Sequence, residues 1–180
     1  MDYESIRLRY KPKAVKYLLI AESPPPPPEV QSSRQFYYTE RIRKDDRLFT
    51  NTIRAVFPET TKIPESELEK NKEYWLNKFK AAGFYMIEAL ELSQEHEVSK
   101  IKRQRLIRET LTNLIDRVRQ IANKNTKIIL IKSNVYEIAA EPLRQAGFNI
   151  LNKELVDYPG RFNQKAYREK LSKLINSNNC

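Results

Sequence analysis

Acidic side chains follow two of the most apolar segments of this 180-residue chain. Glu22 comes directly after an apolar run that ends at Ala21, and Glu88 lies near the end of a second run. A partly desolvated carboxylate can act as a general base toward water, or it can stabilise positive charge that develops on a sugar. Glu22 is therefore the candidate catalytic residue, although its side chain could equally cap a turn or pair with a nearby arginine.

Three consecutive aromatic residues, Phe36, Tyr37 and Tyr38, lie in a segment that has no apolar periodicity. Aromatic side chains outside regular elements stack on nucleobases in nucleic-acid-binding proteins. We expect these three to bind a base together with Glu88, whose carboxylate could accept hydrogen bonds from the base edge. The alternatives are a loop fixed to the core by aromatic packing and a solvated Glu88.

Polar residues also follow the two later apolar runs. Lys132, Ser133 and Asn134 open a predicted helix, and the N–H groups at a helix start attract phosphate. Capping of the helix would by itself explain Ser133 and Asn134. The loop after the last run carries Arg161 and Phe162.

Nearly continuous apolar runs predict strands that are buried on both faces, over residues 15–21, 83–90, 127–132 and 147–151. Helical periodicity predicts helices over residues 68–82, 101–123, 134–146 and 163–175, the third being kinked or divided at Pro142. This alternation predicts an α/β fold, a three-layer α/β/α sandwich with a small, mostly parallel four-stranded sheet. One domain is expected to cover residues 1–180.

Ligands of open parallel sheets bind beyond the carboxyl ends of the strands, which is where these polar residues are predicted to lie. Residues 22–47 form a proline- and aromatic-rich loop at that edge. Its prolines at 24–28 can hold a stiff polyproline II conformation. We interpret them as a rigid wall of the site, the alternative being a free linker or a ligand for an SH3-type domain.

The charge balance indicates a polyanionic partner. The chain has 33 Lys and Arg against 23 Asp and Glu, a formal net charge of +10. Residues 100–132 alone hold ten basic residues against two acidic ones. The helix predicted at 101–123 places most of them opposite its apolar face, at Lys102, Arg103, Arg105, Arg108, Arg117 and Arg119.

The composition excludes several classes of site. Only three glycines occur, so neither a dinucleotide-binding glycine motif nor a P-loop can be written. Cys180 and His96 are the single cysteine and histidine, which excludes a zinc ribbon, an intrachain disulfide and a Cys-ligated iron–sulfur cluster. We expect no metal and no cofactor. The chain shows neither a signal peptide nor an apolar run of 18 residues, so we expect a cytoplasmic monomer, nucleoid-associated in a prokaryote.

Three segments resemble motifs of the uracil-DNA glycosylase superfamily. Residues 18–25 (Leu-Leu-Ile-Ala-Glu-Ser-Pro-Pro) are similar to its first motif, in which a strand enters a Gly-(Asp/Asn/Glu)-x-Pro loop that carries the water-directing residue. Residues 83–90 resemble the second strand, whose end supplies a pyrimidine-reading Asn. Residues 156–164 resemble the last motif, commonly His-Pro-Ser followed by an intercalating apolar side chain and a helix.

The resemblance implies a role for individual residues. Glu22 takes the water-activating position, Phe36 or Tyr37 stacks on the flipped base, and Glu88 stands at the Asn position. Tyr158 takes the place of the His, while Phe162 or Arg161 fills the gap left in the duplex. Together with the polar residues that follow the strands, the expected DNA contacts are Ser23, Pro24, Lys132, Ser133, Asn134, Tyr158, Arg161, Phe162, Asn163 and Gln164.

The departures from the family pattern bear on activity. Ala21 replaces the motif Gly, and an ionised Glu88 accepts hydrogen bonds but cannot donate them, so uracil need not be the preferred base. The missing His removes a contact of the kind that lowers a barrier by ~3 kcal/mol. We predict a monofunctional DNA glycosylase, which flips a damaged or deaminated base and excises it by hydrolysis of the N-glycosidic bond. The alternatives are an inactive nucleic-acid-binding module on the same fold and a hydrolase of free nucleosides.

Overall fold

The computed structural model of the chain describes residues 2–26, 35–40, 46–92 and 98–177. Within them the order of elements is α1 (Tyr3–Arg9), β1 (Tyr17–Ala21), α2 (Arg47–Val56), α3 (Glu65–Lys70), α4 (Lys72–Ala81), β2 (Phe84–Glu88), α5 (Lys100–Glu109), α6 (Leu111–Ile121), β3 (Lys127–Leu130), α7 (Ser133–Gln145), β4 (Asn149–Ile150) and α8 (Gln164–Asn176). A short 3-10 helix (Pro58–Lys62) connects α2 to α3.

The four strands form one sheet in the order β2-β1-β3-β4, and all neighbouring pairs are parallel. Every residue of β1 and β2 is buried, as the continuous apolar runs predict for strands covered on both faces. The next strand after β1 is β2, which lies toward one edge of the sheet, whereas the next strand after β3 is β4, which lies toward the other edge. The connections that leave β1 and β3 therefore run in opposite directions, and a parallel sheet opens a crevice between two such strands.

Helices cover both faces of the sheet, which confirms the predicted three-layer α/β/α sandwich. Right-handed crossovers place α2, α3 and α4 on one face and α5, α6 and α7 on the other. α8 returns to the first face, where the hydroxyls of Tyr167 and Thr52 lie 2.7 Å apart. On the second face, Lys100 of α5 pairs with Glu137 of α7 at 3.1 Å. No helix in the described ranges has an apolar stretch long enough to cross a lipid bilayer.

The structure divides two of the predicted helices. The helix expected over residues 101–123 is two helices, because α5 ends where Thr110 Oγ1 bonds back to the carbonyl of Leu106 at 2.9 Å. The helix expected over 68–82 is likewise broken at Asn71, whose side chain donates to the carbonyl of Glu67 at 2.9 Å. Short polar side chains that bond to the preceding turn compete with helix continuation in this way.

Other differences concern α7, α1 and α2. α7 runs as one helix through Pro142, so the alternative of two segments is not realised, and Ile138 and Leu143 are buried on either side of the proline. α1 and α2 were not predicted. α1 has only seven residues, and Asp2 begins it by accepting from the backbone N–H of Ser5 at 3.2 Å. A helix of seven residues carries too few turns to show a periodic pattern.

Candidate active site

A cavity of about 390 Å³ opens at the carboxyl edge of the sheet, beside the crevice between β1 and β3. This volume is in the range of small-molecule sites. The lining combines carboxylates, a lysine and aromatic rings, and it includes Glu22, Glu88, Phe36, Tyr37, Lys132 and Tyr158. The structure thus brings both sequence-predicted carboxylates and two of the three predicted aromatic residues into one site.

Glu22 follows β1, and its carboxylate accepts from donors on α5, on α7 and in the turn that precedes α7. Lys132 Nζ lies 2.5 Å and Arg103 Nη1 3.1 Å from Glu22 Oε2, while the amide of Asn134 donates to Oε1. Only 3% of the Glu22 side chain is exposed. The alternative that this residue pairs with an arginine is therefore realised, and it is realised on the wall of a cavity.

The charge of Glu22 is fixed by these partners. Burial alone raises the pKa of a carboxyl group, but Lys132, Asn134 and Arg103 together outweigh that effect and lower the pKa of Glu22. The side chain is consequently an anion at neutral pH. It is a weak base and a well-fixed negative charge.

Glu88 ends β2, directly opposite Ala21 in the register of the sheet. Its carboxylate is buried, and among the described residues the guanidinium that contacts it is that of Arg7, with Nη2 at 2.6 Å. Burial raises the pKa of Glu88, and the Arg7 charge offsets this only in part. Arg117 Nη1 and Nη2 donate to the carbonyls of Glu88 and Ala89 at 3.0 and 2.8 Å, which fixes the end of the strand.

The two carboxyl groups therefore lie on one cavity with pKa values shifted in opposite directions. In active sites, two acidic groups can lie in environments that shift their pKa values apart. One group then remains charged while the other carries a proton. Glu22 is suited to the first role. Glu88, whose pKa is raised, is the better suited of the two to the second.

The aromatic residues at 36–38 divide between the site and the core. Phe36 and Tyr37 line the cavity, and the Phe36 ring packs against Tyr3 at 4.5 Å. Tyr38 lies outside the lining: its hydroxyl accepts from the backbone N–H of Met86 at 2.6 Å and its ring stacks on Tyr10. The Tyr38 hydroxyl thus accepts from the backbone of the edge strand β2, and its ring packs in the core. For Tyr38 the alternative of a loop fixed by aromatic packing is therefore the one observed.

The first prolines of the 22–47 loop help to enclose the cavity. Ser23 and Pro24 are buried, and Pro25 is part of the lining. Tyr3 Oη donates to the carbonyls of Pro25 and Pro26 at 3.0 and 3.2 Å, which joins this segment to α1. The remaining prolines of the predicted wall, together with His96 and Cys180, lie outside the described residues.

Lys132 adopts an unusual backbone conformation at the end of β3. Its φ is 79° and its ψ 142°, a region that favours glycine. Its N–H donates to the carbonyl of Val156 at 2.8 Å, while its own carbonyl accepts from Val135 and Tyr136 at the start of α7. The chain turns sharply here from sheet to helix, and the turn directs the lysine side chain toward Glu22.

The residues expected to contact DNA have three different surroundings. Asn134 is buried and holds Glu22, so its side chain does not face outward as a phosphate contact requires. Ser133 is half-buried at the first position of α7. Gln164 is half-buried and accepts from Asn51 at 3.4 Å.

The last loop carries the exposed members of the set. Tyr158 is at the cavity with 37% of its surface exposed, and Phe162 is 89% exposed. Arg161 and Asn163 are also exposed. The Arg161 guanidinium lies 5.7 Å from the centre of the Phe162 ring.

Sequence reasoning missed the two arginines that pair with the carboxylates. It placed Arg103 on a face opposite the apolar residues, yet Arg103 is buried beside Glu22. The signal was its position four residues before Ile107, because residues four apart share a helix face. Arg7 follows Tyr3 by the same interval in the unpredicted α1.

A metal centre is not evident in the part of the chain that the structure describes, where no group of three or more His, Cys, Asp or Glu side chains could hold an ion. No family model, curated protein or solved structure matches this chain. The resemblance to the glycosylase superfamily therefore rests on the short motifs quoted above.

Proposed function

We propose that this protein is a DNA glycosylase that turns a damaged or deaminated base out of DNA and hydrolyses its N-glycosidic bond. The observation that carries the proposal is the pair Glu22 and Glu88, which line one cavity and have oppositely shifted pKa values. Cleavage of a glycosidic bond develops positive charge on the sugar and negative charge on the leaving group. One fixed anion and one acid with a raised pKa match those two requirements.

Glu22 is the group assigned to the sugar. Its lowered pKa keeps it ionised, so it stabilises an oxocarbenium-like sugar and accepts a hydrogen bond from the attacking water. Lys132, Arg103 and Asn134 hold the carboxylate in place before the substrate arrives, so little reorganisation is needed during the reaction. Full proton abstraction is not required of it.

Glu88 is the group assigned to the base. Its raised pKa increases the fraction of the protonated form at a given pH, and that form can donate to a ring nitrogen or exocyclic oxygen of the departing base. This supplies the donor that an ionised glutamate at the position of the family's Asn lacks. A base that offers an acceptor at this point is the expected substrate.

Phe36 and Tyr37 both line the cavity, so their rings would contact one side of the base while the carboxyl edge of the sheet contacts the other. Tyr158 would close the mouth from the opposite loop. Phe162, which is almost fully exposed, would enter the stack and occupy the space of the displaced nucleotide. The net charge of +10 would supply affinity for the phosphate backbone that falls as salt increases.

The test uses duplex and single-stranded oligonucleotides that carry one uracil, hypoxanthine or xanthine, followed by cleavage with alkali. We expect strand scission at the modified position for at least one of them and its loss in Glu22→Gln. Gln retains the size of Glu22 and removes its charge. The absence of scission with every substrate, at protein concentrations that saturate binding, would overturn the proposal.

A second candidate function is supported by the same three donors. A carboxylate with a lowered pKa is a weak base, and Tyr158 stands where the resemblance places a catalytic His. A protein that binds a flipped base without excising it would satisfy these observations. It predicts tight, selective binding of a modified oligonucleotide, unchanged in Glu22→Gln, with no abasic product.

A further inference from the structure

Lys132 brings a primary amine to the cavity, in a position suited to a second reaction. We propose that Lys132 Nζ forms a Schiff base with C1′ of the abasic sugar and that the protein then cleaves the DNA strand by β-elimination. This inference rests on the proposed function, because base excision supplies the abasic sugar.

The first support is the placement of the amine. Lys132 Nζ lies 2.5 Å from Glu22 Oε2, so it is beside the carboxylate assigned to the sugar. The lysine side chain is 32% exposed whereas that of Glu22 is 3% exposed, and both residues line the cavity. The amine can therefore meet an incoming sugar without movement of the sheet.

The second support is that Glu22 does not depend on Lys132 alone. Arg103 and Asn134 remain on the carboxylate when the lysine turns away from it, so the buried charge stays compensated. A guanidinium does not lose its proton in proteins and cannot act as a nucleophile, whereas a lysine amine can. The site thus pairs one cation that only holds Glu22 with one that can react.

The third support is the backbone at this position. The φ of 79° is sterically unfavourable for any residue with a Cβ. Conformations of this kind cluster at active sites, where the surrounding structure maintains them. Glycine would fit the turn from β3 to α7 without strain, so the presence of lysine points to a use for its side chain.

The chemistry needs no oxidant or additional cofactor. After the ammonium gives a proton to water, Nζ adds to C1′ of the ring-opened aldehyde. Protonation of the C1′ oxygen by water then lets it leave as water, and an iminium remains. Water accepts a proton from C2′, which the iminium has acidified. A C2′–C3′ double bond then forms as the C3′–O bond breaks and its electron pair leaves with the phosphate oxygen. The downstream strand leaves with a 5′-phosphate, and water then hydrolyses the iminium to return the lysine amine.

The experiment uses the full chain and an oligonucleotide with a preformed abasic site, so that it does not require base excision. Sodium borohydride reduces the iminium to a stable secondary amine, and peptide mapping by mass spectrometry locates the linkage. We expect a covalent adduct at Lys132 and strand scission without alkali. If the parent protein forms no adduct, or forms it on another lysine, the inference is overturned.

Two variants complete the test. Lys132→Arg keeps a cation beside Glu22 but removes the nucleophile, and we expect adduct yield and scission to fall at least tenfold. Lys124→Arg is the matched control, because Lys124 is exposed near the other end of β3, and it should retain both. Adduct formation unchanged in Lys132→Arg would contradict the inference.

The two proposals fail separately. Base release from a modified oligonucleotide without a borohydride adduct on the abasic one would refute the Schiff base and leave the glycosylase. An adduct at Lys132 without base release from any modified oligonucleotide would refute the glycosylase and leave the lyase.

Discussion

Glu22 and Glu88 lie at the ends of adjoining parallel strands and line the same cavity, yet their surroundings shift their pKa values in opposite directions. Three donors surround the first carboxylate, and one guanidinium contacts the second. The difference arises from the sheet order, which places Glu22 beside β3 and α7 and leaves Glu88 on the edge strand beside α1.

The pH dependence of base excision should follow from these two groups. Activity requires an ionised Glu22, so it should be lost as the pH falls through the lowered pKa of that residue, below the ordinary value of about 4.3. It also requires a protonated Glu88, so it should be lost as the pH rises through a pKa above that value.

Glu88→Gln tests the assignment of the alkaline limb, because its amide donates a hydrogen bond at every pH. We expect this variant to lose the alkaline decline of single-turnover rates. Glu4→Gln is the control, since Glu4 also pairs with Arg7 but is exposed, and it should keep the decline. An unchanged alkaline limb in Glu88→Gln would assign that limb to another group.

Tyr37 and Tyr38 should respond in opposite ways to loss of their hydroxyls. Tyr38→Phe removes the acceptor of the Met86 N–H and should lower the free energy of unfolding by about 1–3 kcal/mol. The Tyr37 hydroxyl is buried and has no partner among the described residues, so Tyr37→Phe should raise that free energy by about 1 kcal/mol.

The same two variants separate stability from binding. If the Tyr37 hydroxyl is reserved for the base, Tyr37→Phe should weaken binding of a modified oligonucleotide while stabilising the fold. Urea denaturation and fluorescence anisotropy measure the two quantities. A Tyr37→Phe protein that is both less stable and unaltered in binding would place the hydroxyl in the core instead.

The backbone at Lys132 offers a direct measure of strain. Replacement by Ala or by Gly removes the contact with Glu22 equally, but only Gly adopts a φ of 79° without penalty. Lys132→Gly should therefore be more stable than Lys132→Ala by about 1–3 kcal/mol. Equal stabilities, measured by urea denaturation, would show that the turn is not strained.

Phe162 should contribute to DNA affinity and not to folding. Because it is 89% exposed, Phe162→Ala should leave the free energy of unfolding within about 0.5 kcal/mol of the parent value. Its loss should weaken DNA binding severalfold at constant salt. Tyr74→Ala is the control, an exposed aromatic on α4 outside the cavity lining, and equal losses in both variants would refute a specific role for Phe162.

Local patterns predicted the sheet well, because burial on both faces leaves a continuous apolar run that few other structures produce. They also predicted that Glu22, Glu88 and Lys132 would lie at the carboxyl edge, since parallel strands end together. Neither the strand order nor the partners of the carboxylates could be read locally. Arg7 and Glu88 are separated by 81 residues, as are Glu22 and Arg103.

The error at Arg103 concerns a charged residue on the apolar face of α5. Arg103 lies four residues before Ile107, so the two share the buried side of α5 whether or not the helix continues past Thr110. A charged residue on a buried face is favourable only when it pairs with a buried opposite charge. The partner, Glu22, is distant in the sequence, so the pair can be identified only from the tertiary structure.

The most direct measurement is the amount of free base released in a single turnover from uracil-, hypoxanthine- and xanthine-containing DNA, quantified by mass spectrometry beside the abasic product. Our account predicts equal amounts of base and abasic strand for at least one substrate, and a rate reduced at least 100-fold in Glu22→Gln. Release of base at the parent rate by Glu22→Gln, or its absence from DNA that is fully bound, would contradict it.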